Sequence, residues 1–461
     1  MIPGLQLVSG ESILRRVARG ELDEAAALAA CAGAPEANAQ TGTYTTQRDV
    51  KVRNAALERG LGEAEELAAW CVAVRAPKSA IAPLLDDLRT AWTNVLRAQD
   101  GGAEAERERE RAERIVERVT ASARSILPRA DLVHAPPAPL APVEDGGDFV
   151  FANDYLSARA RPDGTIVELC GVDGRNLAAI ANGLALYADR GAAAAIDPAY
   201  ERHARRLRAG TARVEDGALL VELRGDGTAI VMRVALAAGE PFLRVELSVN
   251  WQAKQRILRA EHRFAVRATE ARFGTPHGSL VRPSVFEVPA QRWVHVTDGD
   301  AGVAILAADL YGWNAFALRH GGIRIGTSLL RSPVKPDPSV DRGEQFLAYA
   351  FAPTAGAGPG ALEAAWRDYA EPPRVRLFTC DDPAVLVVAT KPADDGNGVI
   401  VRVRECDGEA RRVELRCGGR MREASAVDVS EQAVTGDARV DGELLGFVLP
   451  ASAIRSFRVL P

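Results

Sequence analysis

The stretch "HAPPAPLAPVEDGG", residues 134–147, separates two halves of the chain that have different hydrophobic periods. Its prolines fix φ and remove backbone donors, so it reads as an extended linker through which neither a helix nor a central strand runs. Upstream, apolar residues recur every three or four positions. "ESILRRVARGELDEAAALAA" sets Leu14, Val17, Leu22, Ala25 and Leu28 on one side, and "RDVKVRNAALERGLGEAEELAAWC" aligns Leu57, Leu61, Ala64, Leu67 and Cys71. The next segment aligns Leu84, Leu88, Trp92, Val95 and Leu96, and the last aligns Ile115, Val119, Ala123 and Ile126 before Pro128. This spacing predicts an N-terminal helix within 1–41 and a small helical bundle over 42–133. "AEAERERERAER" alternates charge without an apolar face and predicts a solvated helical overhang.

Downstream the period falls to two. "FVFANDYLSARA", "ALLVELRGDGTAIVMRVAL" and "PFLRVELSVNW" alternate apolar and polar residues, with hairpin signals at Asp163-Gly164 and Asp226-Gly227. One large antiparallel β-sandwich is expected over 148–370, ending in the short helical pattern "PGALEAAWRDYAEPP", followed by a small β-sandwich over 371–461. The fold class is therefore α+β, a helical bundle followed by two antiparallel sandwiches.

Charge and cysteine usage limit what such a chain does. Lys+Arg 57 against Asp+Glu 62 gives a formal charge of −5, so no basic surplus points to nucleic acid or to an anionic membrane. The N-terminal stretch lacks the pattern of a secretory signal, and no apolar run reaches the roughly 18 residues of a membrane span. Six cysteines without a C-x-x-C pair read as reduced thiols, and a cytoplasmic location is expected. The histidines, residues 134, 203, 262, 277, 295 and 320, lack a second histidine at metal-ligand spacing, so no metal or other cofactor is expected. The glycine-rich stretches fall in hairpins, not between a strand and a helix, and no G-x-S-x-G elbow is present.

Unusual side chains crowd into "FEVPAQRWVHVTDGDAGVAILAADLYGWN" and "LLRSPVKPDPSVDRGEQFLAYAF". These hold Arg292, Trp293, Asp298, Asp300, Tyr311, Trp313, Arg331, Asp337, Asp341 and Arg342, the second stretch being a proline-rich loop between strands. Aromatic rings can stack on sugars, and carboxylates beside arginines can hold hydroxyls, so these residues are candidates for carbohydrate binding. The same composition also describes a structural ion-pair network around prolines at a sandwich rim. Spacing alone leaves both readings standing.

The two stretches resemble the C-terminal β-domain of glycoside hydrolase family 38, the α-mannosidases. Phe286 to Val294, Asp298 to Asp300, Tyr311-Gly312, Leu330 to Pro333, Pro336 to Pro338, Asp341, Gly343-Glu344 and Tyr349 follow the family's order. "NDYLSARARPDGTIVEL" and "NGLALYADR" are similar to earlier strands of that domain, and "GTYTTQRDVKVRNAALERGLGEAEELAA" resembles the run from the family's barrel into its middle helical domain. The resemblance covers residues 42–461. It implies a galactose-mutarotase-like large sandwich and, for an intact member, a retaining α-mannosidase that uses zinc and an aspartate nucleophile.

Departures from the family bear on that activity. Where the family has a Q-x-H-D stretch whose histidine ligates zinc, this chain has Gln99-Asp100-Gly101-Gly102, so Gly101 stands at the ligand position. Gln345 replaces a family histidine, and 42 residues precede Thr43, where a catalytic barrel takes on the order of 200. The resemblance thus implies a chain without the catalytic barrel, without the zinc and without the catalytic carboxylates. Three functions are consistent with this: a non-catalytic pseudoenzyme that binds carbohydrate or a partner; the non-catalytic subunit of a split α-mannosidase; or an unrelated acid/base enzyme using Asp298, Asp300, Asp337 and Asp341. Tyr44, Trp70 and Trp92 stand near the junction with the expected missing barrel, so a partner chain or self-association is expected to cover that surface.

Overall fold

Leu57, Leu61, Ala64, Leu67, Ala68 and Cys71 lie on one face of a helix spanning Arg48–Ala73, here α1, and all are buried. The computed structural model containing it describes residues 41–100, 104–127, 137–205, 207–371 and 376–461. The expected helix within 1–40, the family ligand position Gly101 and the first residues of the proline linker lie outside them. Helix α1 closes in a Schellman arrangement: the Arg75 N–H reaches the Val72 carbonyl at 2.9 Å and the Ala76 N–H reaches that of Cys71 at 3.0 Å, with Arg75 at φ 57°.

Helix α2, Lys78–Asp100, turns Leu84, Leu88, Ala91 and Val95 onto α1, and α3, Ala105–Ile126, closes the bundle with Ala112, Ile115, Val119 and Ala123. Leu96 departs from the expected stripe and is 62% exposed. One helical step beyond Val95 carries it off the inward face. The charged start of α3 departs as well. Instead of a solvated overhang, Ala105, Glu108, Arg109 and Ala112 are buried. Two alanines let the helices approach, and Arg109 lays its aliphatic stem in the contact while its guanidinium reaches the Ala98 carbonyl and Glu106.

Part of the expected linker is strand: 139–140 pairs with 236–237 and 143–145 with 148–150, and every strand pairing among the described residues is antiparallel. Two ten-stranded sheets face one another, one holding strands 243–251, 302–307 and 343–354 at its centre, the other holding 178–188, 256–264 and 323–331. Strict alternation marks the sheet with one wet face: in Leu243–Trp251, Leu243, Val245, Leu247, Val249 and Trp251 turn inward. Gly302–Ala307 is buried on both faces, because helix α4, Pro359–Ala370, lays Leu362 and Tyr369 against Ala304 and Leu306 from outside. At the hairpin between 218–225 and 228–237, Asp226 and Gly227 sit at φ 50° and 79°, the paired positive values of a type I′ turn.

Two four-stranded sheets form the small C-terminal sandwich. Its core takes in Ala69, Val72 and Ile81 from α1 and α2, so one side of the bundle packs into this sandwich while the bundle keeps an apolar core of its own. Gly418 lies so close to the Trp70 ring that a Cβ there would meet it at 2.3 Å. The bundle meets the large sandwich at Arg48, whose guanidinium bonds Asp309 at 3.1 Å and the Phe346 carbonyl at 2.8 Å. Among the described residues no helix is long and apolar enough to cross a membrane, and the five described cysteines are free.

Candidate functional site

Where the bundle, the large sandwich and the small sandwich meet, they enclose an open cleft of about 720 Å³. Helix α1 contributes Lys51, Glu58, Arg59, Glu65 and Glu66 at helical spacing, and α2 contributes Trp92. The large sandwich supplies Arg292 and Tyr311, α4 supplies Trp366 and Arg367, and the small sandwich supplies Lys391 and Arg402.

Four aromatic side chains, Trp92, Tyr311, Trp366 and Phe378, line this space, and the two tryptophans have their polar ends tied down. The Trp92 indole donates to Glu65 Oε1 at 2.8 Å, and the Trp366 indole donates to the Ala307 carbonyl at 2.9 Å. The Arg292 guanidinium lies 5.7 Å from the centre of the Trp366 ring and pairs with Glu363 at 3.2 Å, leaving its Nε buried without a partner. Tyr311 is half-buried, and burial pushes its phenol up to about 12, so it stays a neutral hydrogen-bonding group at neutral pH.

The charged groups fall into two kinds. Arg376 bonds Glu66 at 3.0 Å and also engages Glu371, a closed set of ion pairs. Lys51, by contrast, gives its ammonium to the backbone carbonyls of Thr43 and Thr46, and burial brings it down to about 8 against the attraction of Asp341. Burial raises the Glu65 carboxyl above the ordinary carboxylate range, which the Trp92 hydrogen bond only partly offsets.

Of the candidates named from the sequence, the fold brings Arg292 and Tyr311 to the cleft. Trp293 and Trp313 are core residues, each 1% exposed. Arg331 is fully buried, pairs with Asp189 and also binds the carbonyls of Ala192, Ala193 and Ala195, which pins that loop to the sheet. Asp298, in the turn after 293–297, pairs with Arg175, in the loop before 178–188 of the other sheet, and that contact holds its carboxyl down at about 2. Asp300 is exposed in the same turn, and Asp337 accepts from Ser339 within its own loop. Asp341 lies buried under the start of α1. Each of these aspartates has its own surroundings, and none lines the cleft.

The cleft residues that sequence reasoning missed are Lys51, Glu65, Trp92, Trp366 and Arg376 among others. In sequence Trp92 is marked by its helical stripe and as a bulky group at the junction with the expected missing barrel, not as a sugar-binding candidate. The Arg376–Glu66 pair spans 310 positions, which no local spacing encodes. The zinc implied by family resemblance does not fit the described residues, since no group of three or more His, Cys, Asp or Glu stands close enough to hold an ion. His262 and His295 are buried, and burial lowers them to about 3 and about 4.

Residues 151–339 match the glycosyl hydrolases family 38 C-terminal domain. Alpha-mannosidase G of Dictyostelium discoideum is 28% identical over 190 residues, 36% of this chain and 17% of that protein. Alpha-mannosidase 2C1 of Homo sapiens is 27% identical over 224 residues, 43% of this chain and 21% of that protein. The matched stretches thus span only about a fifth of these relatives' own length. Among solved structures, a protein in glycosyl hydrolase family 38 from Enterococcus faecalis superposes with a TM-score of 0.71 at 14% identity, over 91% of this chain and 71% of that one, a likeness of fold. An alpha-mannosidase from Enterococcus faecalis V583 gives 0.69 at 13% identity, over 92% and 69%. Residues 151–339 thus match the glycosyl hydrolases family 38 C-terminal domain, and the chain as a whole is similar in fold to solved proteins of that family.

Proposed function

We propose that this chain binds carbohydrate in the cleft between the bundle and the two sandwiches, and that its own residues do not hydrolyse the ligand. The observation that carries the reading is the set of Trp92, Tyr311 and Trp366 around one polar cleft of about 720 Å³. Flat aromatic faces offer apolar area to the C–H faces of a sugar, while the surrounding hydrogen-bonding groups meet its hydroxyls. Retaining hydrolysis needs two available carboxyl groups about 5 Å apart, one attacking and one protonating. The carboxylates of the cleft are otherwise occupied: Glu66 and Glu371 by Arg376, Glu65 by Trp92, Glu58 by the Gln99 amide. Free cysteines fit a reducing compartment, and we infer a cytoplasmic location.

Isothermal titration with mannobiose, beside an assay on 4-nitrophenyl α-mannoside, tests this. Saturable binding without nitrophenol release is expected. Turnover by the purified chain, or no heat with any mannoside, would overturn the proposal.

A second reading, that a further chain or a second copy covers part of this surface, is favoured by Leu96. It is 62% exposed in a recess that it shares with Trp92 beside the cleft. Light scattering that returns a monomer at all concentrations, together with no co-purifying chain, would remove it.

A further inference from the structure

The chain as a whole is acidic, with a formal charge of −5, yet seven cationic side chains line the cleft against four carboxylates. Arg59, Arg367 and Arg402 all line it, and none of them makes an ion pair among the described residues. Arg402 donates through Nε to Ser456 Oγ at 2.9 Å, and Arg367 donates to the Val387 carbonyl at 2.9 Å. Both partners are neutral acceptors, so the carboxylates nearest them, Glu371 and Glu363 for Arg367 and Glu65 for Arg402, act on these guanidiniums without forming an ion pair. Lys51 also bonds two backbone carbonyls, but Asp341 stands near it as a counter-charge, so it stands apart from these arginines. On the acidic side, Glu66 and Glu371 are neutralised by Arg376, and Glu65 accepts from the Trp92 indole. Glu58 and Glu65 are left as the carboxylates facing this surplus.

Half-buried guanidiniums without an anionic partner cost free energy that a bound oxyanion recovers, because the planar fork of Arg matches phosphate and carboxylate oxygens two at a time. A recessed wall of one sign also concentrates ligands of the other sign. We propose that the cleft is a site for an anionic carbohydrate, a sugar carrying an oxyanion substituent, with Arg59, Arg367 and Arg402 holding the oxyanion and the aromatic side chains holding the ring. This rests on the carbohydrate reading above and narrows it to a charged class.

The test is isothermal titration of the full chain with mannose, mannose 6-phosphate, glucuronic acid and inorganic phosphate, at low and at moderate salt. Mannose 6-phosphate or glucuronic acid is expected to bind about tenfold or more tighter than mannose, and to weaken with salt. The stronger of the two identifies the oxyanion. Arg59→Gln and Arg402→Gln, each checked for an unchanged Tm, are expected to remove most of the advantage of the charged sugar over mannose. Equal binding of mannose and both charged sugars would overturn this inference and leave the carbohydrate reading intact. Inorganic phosphate binding as tightly as mannose 6-phosphate, with no response to mannose, would overturn the sugar part of it. No binding by any of the four would overturn both readings. If both Gln variants fold and keep the full advantage, the assignment of these arginines is wrong.

Discussion

The carboxylate of Asp341 accepts the backbone N–H of Arg48 at 2.6 Å, across 293 positions of sequence. Helix α1 has no cap of its own, because Gln47 stands at φ 57° and makes no side-chain cap bond. A residue of the large sandwich therefore does what a local Ser or Asp does at other helix starts, and the cap doubles as a joint between bundle and sandwich. Replacing Asp341 by Ala is expected to cost about 1–2 kcal/mol, read as a lower urea midpoint.

The same carboxyl carries a pH signature. Burial pushes Asp341 up to about 6, against the Arg48 N–H and the nearby Lys51 ammonium and with help from Asp49. Its folded pKa thus lies above the unfolded value near 3.9, so the native state holds the proton more tightly between about pH 4 and pH 6. Stability from this group is present below about pH 4 and is lost as pH rises through 6, by up to about 3 kcal/mol. Asp341→Asn keeps an acceptor and removes the titration, so its urea midpoints should fall less than those of the native chain between pH 4 and pH 7. Parallel curves for the two proteins would contradict the assignment.

Arg331 and Asp189 form a fully buried pair. Arg331→Met would strand the carboxylate and release three loop carbonyls, for a loss of about 3–5 kcal/mol. Converting Asp189 to Leu as well should recover part of it, and the comparison of single and double variants by chemical denaturation measures how much.

Gly418→Ala is expected to cost about 1–3 kcal/mol, since the added methyl would press into the Trp70 ring at the joint between α1 and the small sandwich. Gly419→Ala is the control, because a Cβ at that position meets nothing within 4 Å. Similar melting temperatures for the two variants would mean that the Trp70 contact is not tight.

Elemental analysis of the purified chain is expected to find zinc far below stoichiometric, because the described residues offer no cluster of ligands. Stoichiometric zinc that survives dialysis against a chelator would contradict this.

How far these features were legible in sequence depends on their range. The change of period and the Asp226-Gly227 turn are local properties, and they announced the α+β architecture. Leu96 and the charged start of α3 were misread because a stripe drawn on one helix does not say how closely its neighbour approaches. Crowding marked Trp293, Trp313 and Arg331, but a buried ion pair and a binding surface use the same residue types, and here the interior claimed all three. The cleft was invisible because Lys51, Trp92, Trp366 and Arg402 belong to separate elements that only the tertiary fold brings together.

The most direct test uses the six tryptophans as reporters. Trp251, Trp293 and Trp313 are buried in the large sandwich, Trp70 packs on Gly418, and Trp92 and Trp366 line the cleft. With ¹⁵N-labelled tryptophan, assigned one residue at a time by Trp→Phe exchange, the indole N–H signals are followed during titration with mannobiose and mannose 6-phosphate. Carbohydrate binding in the cleft predicts that the Trp92 and Trp366 signals move or broaden in a saturable way while those of Trp251, Trp293 and Trp313 stay fixed. Six unmoved signals at saturating ligand, or a response confined to the other tryptophans, would contradict it.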